Sequence, residues 1–133
     1  MINKIKRLSK AYYDEIIESR RYLHSHPELS QQEFGTMAYV ADKLRSFGLK
    51  PHSGIGKTGV MAMVEGRNPN SYCVALRADY DALPIKECTG LPFSSETDGV
   101  MHACGHDMHT AILLTVGKIA HEIKDELPGG VKL

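Results

Sequence analysis

The sequence predicts an α/β domain, and three observations carry that prediction. Helical periodicity runs from Asn3 to about Gly48. Short apolar runs of strand length follow, Val60 to Glu65 and Tyr72 to Leu76. An amphipathic segment after Met108 then leads into Val131-Lys132-Leu133, which reads as the opening of another strand. Helical and strand signals that alternate along a chain favour a sheet with helices packed on it. At 133 residues the chain has the length of one domain, and 42% hydrophobic residues are enough for a core.

The first helix is expected from Asn3 to Ser25, with Ile5, Leu8, Tyr12, Ile16 and Leu23 on its apolar side. His26-Pro27 ends it, because the residue before proline avoids the α region. In that reading His24 is a capping or surface residue. Ser30 and Glu33 have the spacing of a capping box, and Leu29 and Phe34 that of a hydrophobic staple. The second helix is therefore expected to start at Ser30, with Phe34, Met37, Ala41, Leu44 and Phe47 buried. Gly48 suits its C-terminal cap and Pro51 prevents resumption.

The continuous apolar run Tyr72 to Leu76 suggests a strand buried on both faces. It delivers Arg77, Asp79 and Asp81 at its C-terminal end, the edge where open α/β sheets build their sites. Pro84 to Gly99 reads as a loop, with Leu83, Ile85, Leu91 and Phe93 able to pack on the body. The third helix is expected to bury Met108, Ile112, Val116, Ile119 and Ile123, and Leu127-Pro128-Gly129-Gly130 stops it.

Composition excludes some function classes. Sixteen basic residues balance sixteen acidic ones, so there is no general electrostatic pull on nucleic acid or an anionic membrane. No apolar run has the length of a bilayer span, about 20 residues, and the N-terminus lacks the apolar core of a signal peptide. Cys73, Cys88 and Cys104 are odd in number and irregular in spacing. That speaks against a disulfide framework and for a reducing compartment, hence the cytoplasm.

The chemistry is concentrated in His102-Ala103-Cys104-Gly105-His106-Asp107-Met108-His109. Burying several imidazoles and a carboxylate is costly unless each finds a partner. A divalent metal suits thiolate, imidazole and carboxylate together. Cys104 and His106 are two apart, so in extended backbone both reach one ion. A helix start with solvated histidines stays open as the plainer reading. So does a second-sphere or exposed place for His102 and His109. In Arg77-Ala78-Asp79-Tyr80-Asp81, Asp79 could accept the ring hydrogen of a metal-bound imidazole. A structural ion-pair cluster is the alternative there.

Three stretches together closely resemble the metal-dependent amidohydrolases that cleave N-acyl amino acids. They are His24-Ser25-His26-Pro27-Glu28-Leu29-Ser30, Leu76-Arg77-Ala78-Asp79-Tyr80-Asp81-Ala82-Leu83-Pro84 and the His102–His109 run. That group includes hippurate hydrolase and the plant indole-acetyl-amino acid hydrolases, within the aminoacylase-type zinc exopeptidases. The resemblance implies a mixed β-sheet flanked by helices and a smaller inserted dimerisation domain, hence a homo-oligomer. It implies two divalent metal ions, drawn from zinc, manganese, nickel or cobalt, and an N-acyl amino acid as substrate. Cys104 and His106 match metal ligands, and Asp79 matches an aspartate behind the metal site. Arg77 stands where other relatives carry a histidine, so it is not counted as a ligand. Relatives continue the strand begun by Val131 into a Gln-Pro-Ala-Glu-Glu-like run, whose first glutamate is the general base. Residues 1–133 are thus expected to be the N-terminal part of a catalytic domain, incomplete for catalysis alone.

Three other readings remain. One is a non-catalytic metal-binding fragment or decayed gene product. Another is a hydrolase with Cys104 as nucleophile. The last is a small structural zinc module, which Cys73 and Cys88 do not support by spacing.

Overall fold

The computed structural model describes residues 1–133. Four helices and five short strands follow in the order α1 (Ile2–Ala11), α2 (Tyr13–Ser25), α3 (Phe34–Ser46), β1 (His52–Ile55), β2 (Gly59–Met61), β3 (Met63–Val64), β4 (Cys73–Ala75), α4 (His106–Glu122) and β5 (Gly130–Lys132). A 3-10 turn, Lys124–Glu126, precedes β5. The fold is α/β, as expected. β5 lies between β3, antiparallel to it, and β4, parallel to it, so the sheet is mixed. The parallel pair is joined through α4, as a parallel connection requires a crossover. β1 and β2 form a separate antiparallel hairpin. Paired hydrogen bonds between Ala62 and Leu133 extend the ladder beyond β5.

The main core gathers Val40, Leu44, Leu49, Ala62, Val64, Leu114 and Ala120 from α3, α4 and the strands. Gly117 lets the chain end cross α4 closely: a Cβ there would lie 2.5 Å from Leu133 Cδ1. A second, smaller cluster joins Leu8 to Ile119 and Ile123, with Ile5 and Tyr12 packed beside it.

Several expectations need correction. The first helix is two segments, because Tyr12 leaves helical geometry at φ −97°, ψ 11°. Its hydroxyl instead donates to Glu122 at 2.5 Å. The second helix starts at Phe34, not Ser30. Ser30 and Gln31 form a turn, with Gln31 at φ 66°. Glu33 is buried and accepts from Thr58 Oγ1 at 2.8 Å, so it is not free to close a capping box. The cap comes from farther back: Glu28 accepts from the Gly35 and Thr36 amides at 3.0 and 2.7 Å. A carboxylate at a helix N-terminus satisfies amides that the helix cannot and meets the positive end of its dipole. Phe34 is exposed, and Thr36 and Val40 join Ala41 and Leu44 on the buried face.

The expected face of α4 holds at its C-terminal end, where Ile119 and Ile123 are buried, and fails in its first turns. Met108 and Ile112 are exposed; Asp107, Thr110, Ala111, Leu114 and Thr115 are buried. β4 is exposed rather than buried on both faces, and it is the edge strand of its sheet, paired only with β5. In the loop after it, Leu83, Ile85 and Leu91 are exposed, while Phe93 packs against Arg20, Arg21 and His24.

The capping assignment makes a prediction. Glu28→Ala should lower the unfolding free energy by about 0.5–2 kcal/mol, the usual value of a cap. Ser30→Ala should change it by less than about 0.5 kcal/mol, as an exposed substitution does. Urea midpoints of the two variants would test this, and the reverse order would restore the Ser30 start.

Candidate metal centre

Two loops meet at the C-terminal end of β4. Residues 76–83 leave the strand, held by Leu76 N to Lys132 O at 2.8 Å and by Ala82 N to Glu28 O at 2.8 Å. Residues 101–105 run into α4, tied at one end by reciprocal hydrogen bonds between Leu83 and Met101. Gly105 makes the turn before α4 at φ +98°, a conformation that glycine adopts without strain. His106 is then the first residue of the helix.

The His106 ring is oriented by its neighbour loop. Nδ1 lies 2.9 Å from Asp81 Oδ1 and 3.0 Å from the Asp81 carbonyl oxygen. Both are acceptors, so Nδ1 carries the hydrogen and Nε2 keeps its lone pair for a ligand. This is the arrangement by which carboxylates fix the tautomer of metal-binding histidines. The structure puts Asp81 where the sequence reading put Asp79. Asp79 turns to Arg77, 2.5 Å from its guanidinium, and its backbone carbonyl accepts from Thr110 at 3.0 Å. The alternation in Asp-Tyr-Asp left two carboxylates on one side of an extended segment, and only the register of the loop decides between them.

Cys104 is exposed and free. It makes no main-chain hydrogen bond of its own, so its place is set by the segments that flank it. His109 is exposed, with its ring centroid 6.1 Å from that of His106. His102 is buried, and neither ring nitrogen has a hydrogen-bond partner. Burial, more than any neighbouring charge, holds its pKa below the ordinary histidine value. His106, Asp79, Asp81 and Arg77 line an open cleft of about 680 Å³, with Ser30 and Gln31 on its far wall.

The residues fit a metal in part. A thiol, an imidazole with one nitrogen prepared, and nearby carboxylates are the donors that zinc and its neighbours take. No three histidine, cysteine, aspartate or glutamate side chains converge to enclose an ion, however. Sequence reasoning missed His24 altogether as a buried residue. It is 2% exposed, with Nδ1 2.7 Å from Asp107 Oδ2 and Nε2 3.2 Å from Glu87 Oε1. The available signal was its position beside Leu23 and one turn after Arg20, which places it on the buried side of α2.

Residues 75–133 match the model of peptidase family M20/M25/M40. The N-acyl-L-amino acid amidohydrolase of Geobacillus stearothermophilus is 47% identical over 129 residues, 97% of this chain and 35% of that protein. The family match places residues 75–133 in peptidase family M20/M25/M40. Other relatives in it are the hippurate hydrolase of Campylobacter jejuni, 46% identical over 78% of this chain and 27% of that protein, and thermostable carboxypeptidase 1 of Saccharolobus solfataricus, 42% identical over 100% of this chain and 34% of that protein. The Bacillus subtilis YxeP protein, a dinuclear metal binding peptidase of the M20 family, superposes with a TM-score of 0.87 at 44% identity. That match covers 92% of this chain and 35% of the YxeP chain. The chain thus spans about a third of the length of the relatives it matches. The M20 relatives are hydrolases, so the family reading expected from the three sequence stretches holds.

The cleft wall holds one testable titration. The Tyr80 hydroxyl donates to the Thr58 carbonyl. Burial first, then the Glu33 and Glu28 carboxylates, pushes its pKa from 10.0 up to about 12. The folded state therefore resists ionisation that the unfolded chain undergoes. Its contribution to stability is complete below pH 10.0 and is lost as pH rises toward about 12. Alkaline absorbance titration should show a late tyrosine step that Tyr80→Phe removes; a wild-type titration finished by about pH 11, one unit above the ordinary tyrosine value, would contradict it.

Proposed function

We propose that residues 1–133 form the N-terminal part of the catalytic domain of an enzyme that hydrolyses the amide bond of N-acyl amino acids. The observation that carries this is His106, whose Nδ1 is committed to Asp81 while Nε2 is left for a metal on the edge of the cleft. The names of the relatives support the reaction class. In this reading Cys104 and His106 are metal ligands, Asp81 orients the imidazole, and Asp79 with Arg77 sets the charge of the cleft wall. Two divalent ions, zinc, manganese, nickel or cobalt, would lower the pKa of bound water and polarise the amide carbonyl. The general base would be a glutamate outside these residues, as would a smaller second domain through which the protein forms a homo-oligomer. Three free cysteines support a reducing, cytoplasmic setting. No helix is long and apolar enough to cross a membrane.

One observation favours a second reading for the chain by itself. Because no three candidate ligands converge, and a catalytic zinc normally has three, residues 1–133 alone would hold metal without turning over substrate.

The test uses cobalt as a spectroscopic probe. The 133-residue chain should develop a thiolate-to-cobalt charge-transfer band that Cys104→Ala abolishes. Asp81→Asn should weaken cobalt binding about 10–100-fold, the usual effect of losing a carboxylate behind a histidine ligand. In the whole protein, Cys104→Ala should remove bound metal and hydrolysis of N-acetyl and N-benzoyl amino acids together. Full metal content and normal turnover in that variant would remove Cys104 from the site. Chelator-sensitive turnover by residues 1–133 alone would show that the general base lies within them.

A further inference from the structure

Outside the cleft, the densest group of ionisable side chains is buried directly behind the His106 loop. Asp107 is 1% exposed and follows His106 in the first turn of α4. Its Oδ2 meets His24 Nδ1 at 2.7 Å and lies 3.0 Å from Arg20 Nε, off the line of a hydrogen bond. The other nitrogen of His24 lies 3.2 Å from Glu87 Oε1. Glu87 belongs to the irregular 84–100 loop, yet its side chain is almost fully buried. It also accepts from the Ser95 amide at 2.6 Å and from the Thr89 hydroxyl. Burial alone would push its carboxyl up, but the hydrogen bonds from Thr89, Ser95 and His24 outweigh that and hold it low.

We propose that His24 is a positioning residue for the metal-binding loop, fixing Cys104 and His106 by bridging Asp107 to Glu87. Each ring nitrogen faces a carboxylate oxygen, and Arg20 Nη2 lies 3.3 Å from Nδ1 as well. One imidazole thereby ties three segments that the sheet does not connect: α2, the 84–100 loop and the first turn of α4. Stability alone is a weak reason for such a group. Buried charge pairs are commonly no more stabilising than well-packed apolar side chains of the same size. Fixed geometry is what they supply, and the geometry at stake is next door. Asp107 is bonded to His106, and Cys104 has no main-chain hydrogen bond to hold it. The position of the thiol is therefore inherited from Met101 on one side and from the start of α4 on the other. If the bridge is cut, the start of α4 and the loop against it lose their common anchor.

The inference rests on Cys104 and His106 being ligands, and the experiment separates the two. Cobalt is titrated into the 133-residue chain and into His24→Leu, Glu87→Ala and Glu87→Gln. Hydrogen exchange of the metal-free proteins is measured in parallel. His24→Leu and Glu87→Ala should weaken cobalt binding about 10–100-fold, the effect of removing groups that hold a ligand in place, and should shift the charge-transfer band. Glu87→Gln keeps an acceptor oxygen for His24 and should stay within about threefold of wild type, a rescue that a general packing defect would not show. Without metal, the amides of Met108 and His109, which donate to Gly105 O at 3.1 Å in the first turn of α4, should exchange faster in the first two variants while those of α3 are unchanged. Glu87→Ala touches only the loop end of the bridge, so it decides the matter should His24→Leu fail to fold. Wild-type cobalt affinity and wild-type exchange of the Met108 and His109 amides in Glu87→Ala would overturn the proposal. No thiolate band in the wild-type chain would instead overturn the ligand assignment, and the exchange data would still show whether His24 orders the loop.

Discussion

The carboxylate of Asp107 is the constraint around which the buried end of this domain is arranged. A carboxylate so fully removed from water must find donors, and a second unpaired ion cannot be tolerated beside it. His24 and Arg20 from α2 meet its Oδ2, while Oδ1 is buried without a hydrogen-bond partner. That requirement fixes how α2 lies along α4, because a rotation of either helix by one residue would withdraw a partner. It also explains why the first turns of α4 do not bury their apolar residues, whereas Ile119 and Ile123 farther along are buried. With Asp107 and Thr110 turned inward, Met108 and Ile112 point to solvent. A helix orients to satisfy its most expensive side chain first, and apolar residues that can be left in water are left there.

The same logic shows where the sequence was legible. The α/β class and the strand at Val131 follow from periodicity and apolar runs. The stop at His26-Pro27 follows from backbone sterics. These are local rules, and they held. The failures are long-range. Ser30 and Glu33 carry a valid local capping signal, but Thr58, 25 positions on, takes Glu33, and Glu28 supplies the cap instead. Tyr12 breaks the first helix where its hydroxyl reaches Glu122 across the second cluster. The strand at Cys73–Ala75 was rightly placed and wrongly buried, since its composition reports what a strand can pack against and not whether other segments cover its faces.

At the site, residue types and spacing singled out Cys104 and His106, and a resemblance supplied their roles. The orienting carboxylate needed coordinates. Asp79 and Asp81 are chemically alike and two apart, so only the path of the loop decides which faces His106. His24 was hidden for a related reason: a histidine at a helix end usually faces water, and nothing local shows that Glu87 and Asp107 will enclose it. The polar residues that a sequence hides best are those whose partners lie on other segments.

The division of the core also determines how the molecule comes apart. α1 is joined to the rest through the small cluster around Leu8 and through exposed contacts such as Lys4 to Glu126 at 2.5 Å. The main cluster contains no residue of α1. Segments that share few buried contacts with the main core open at lower free energy than the whole domain. With Tyr12 breaking the helix, α1 can detach while α2 keeps its register on α4. The N-terminal arm is then a separate cooperative unit, and thermal fraying that begins there stops before it reaches the buried pair at His24 and Asp107.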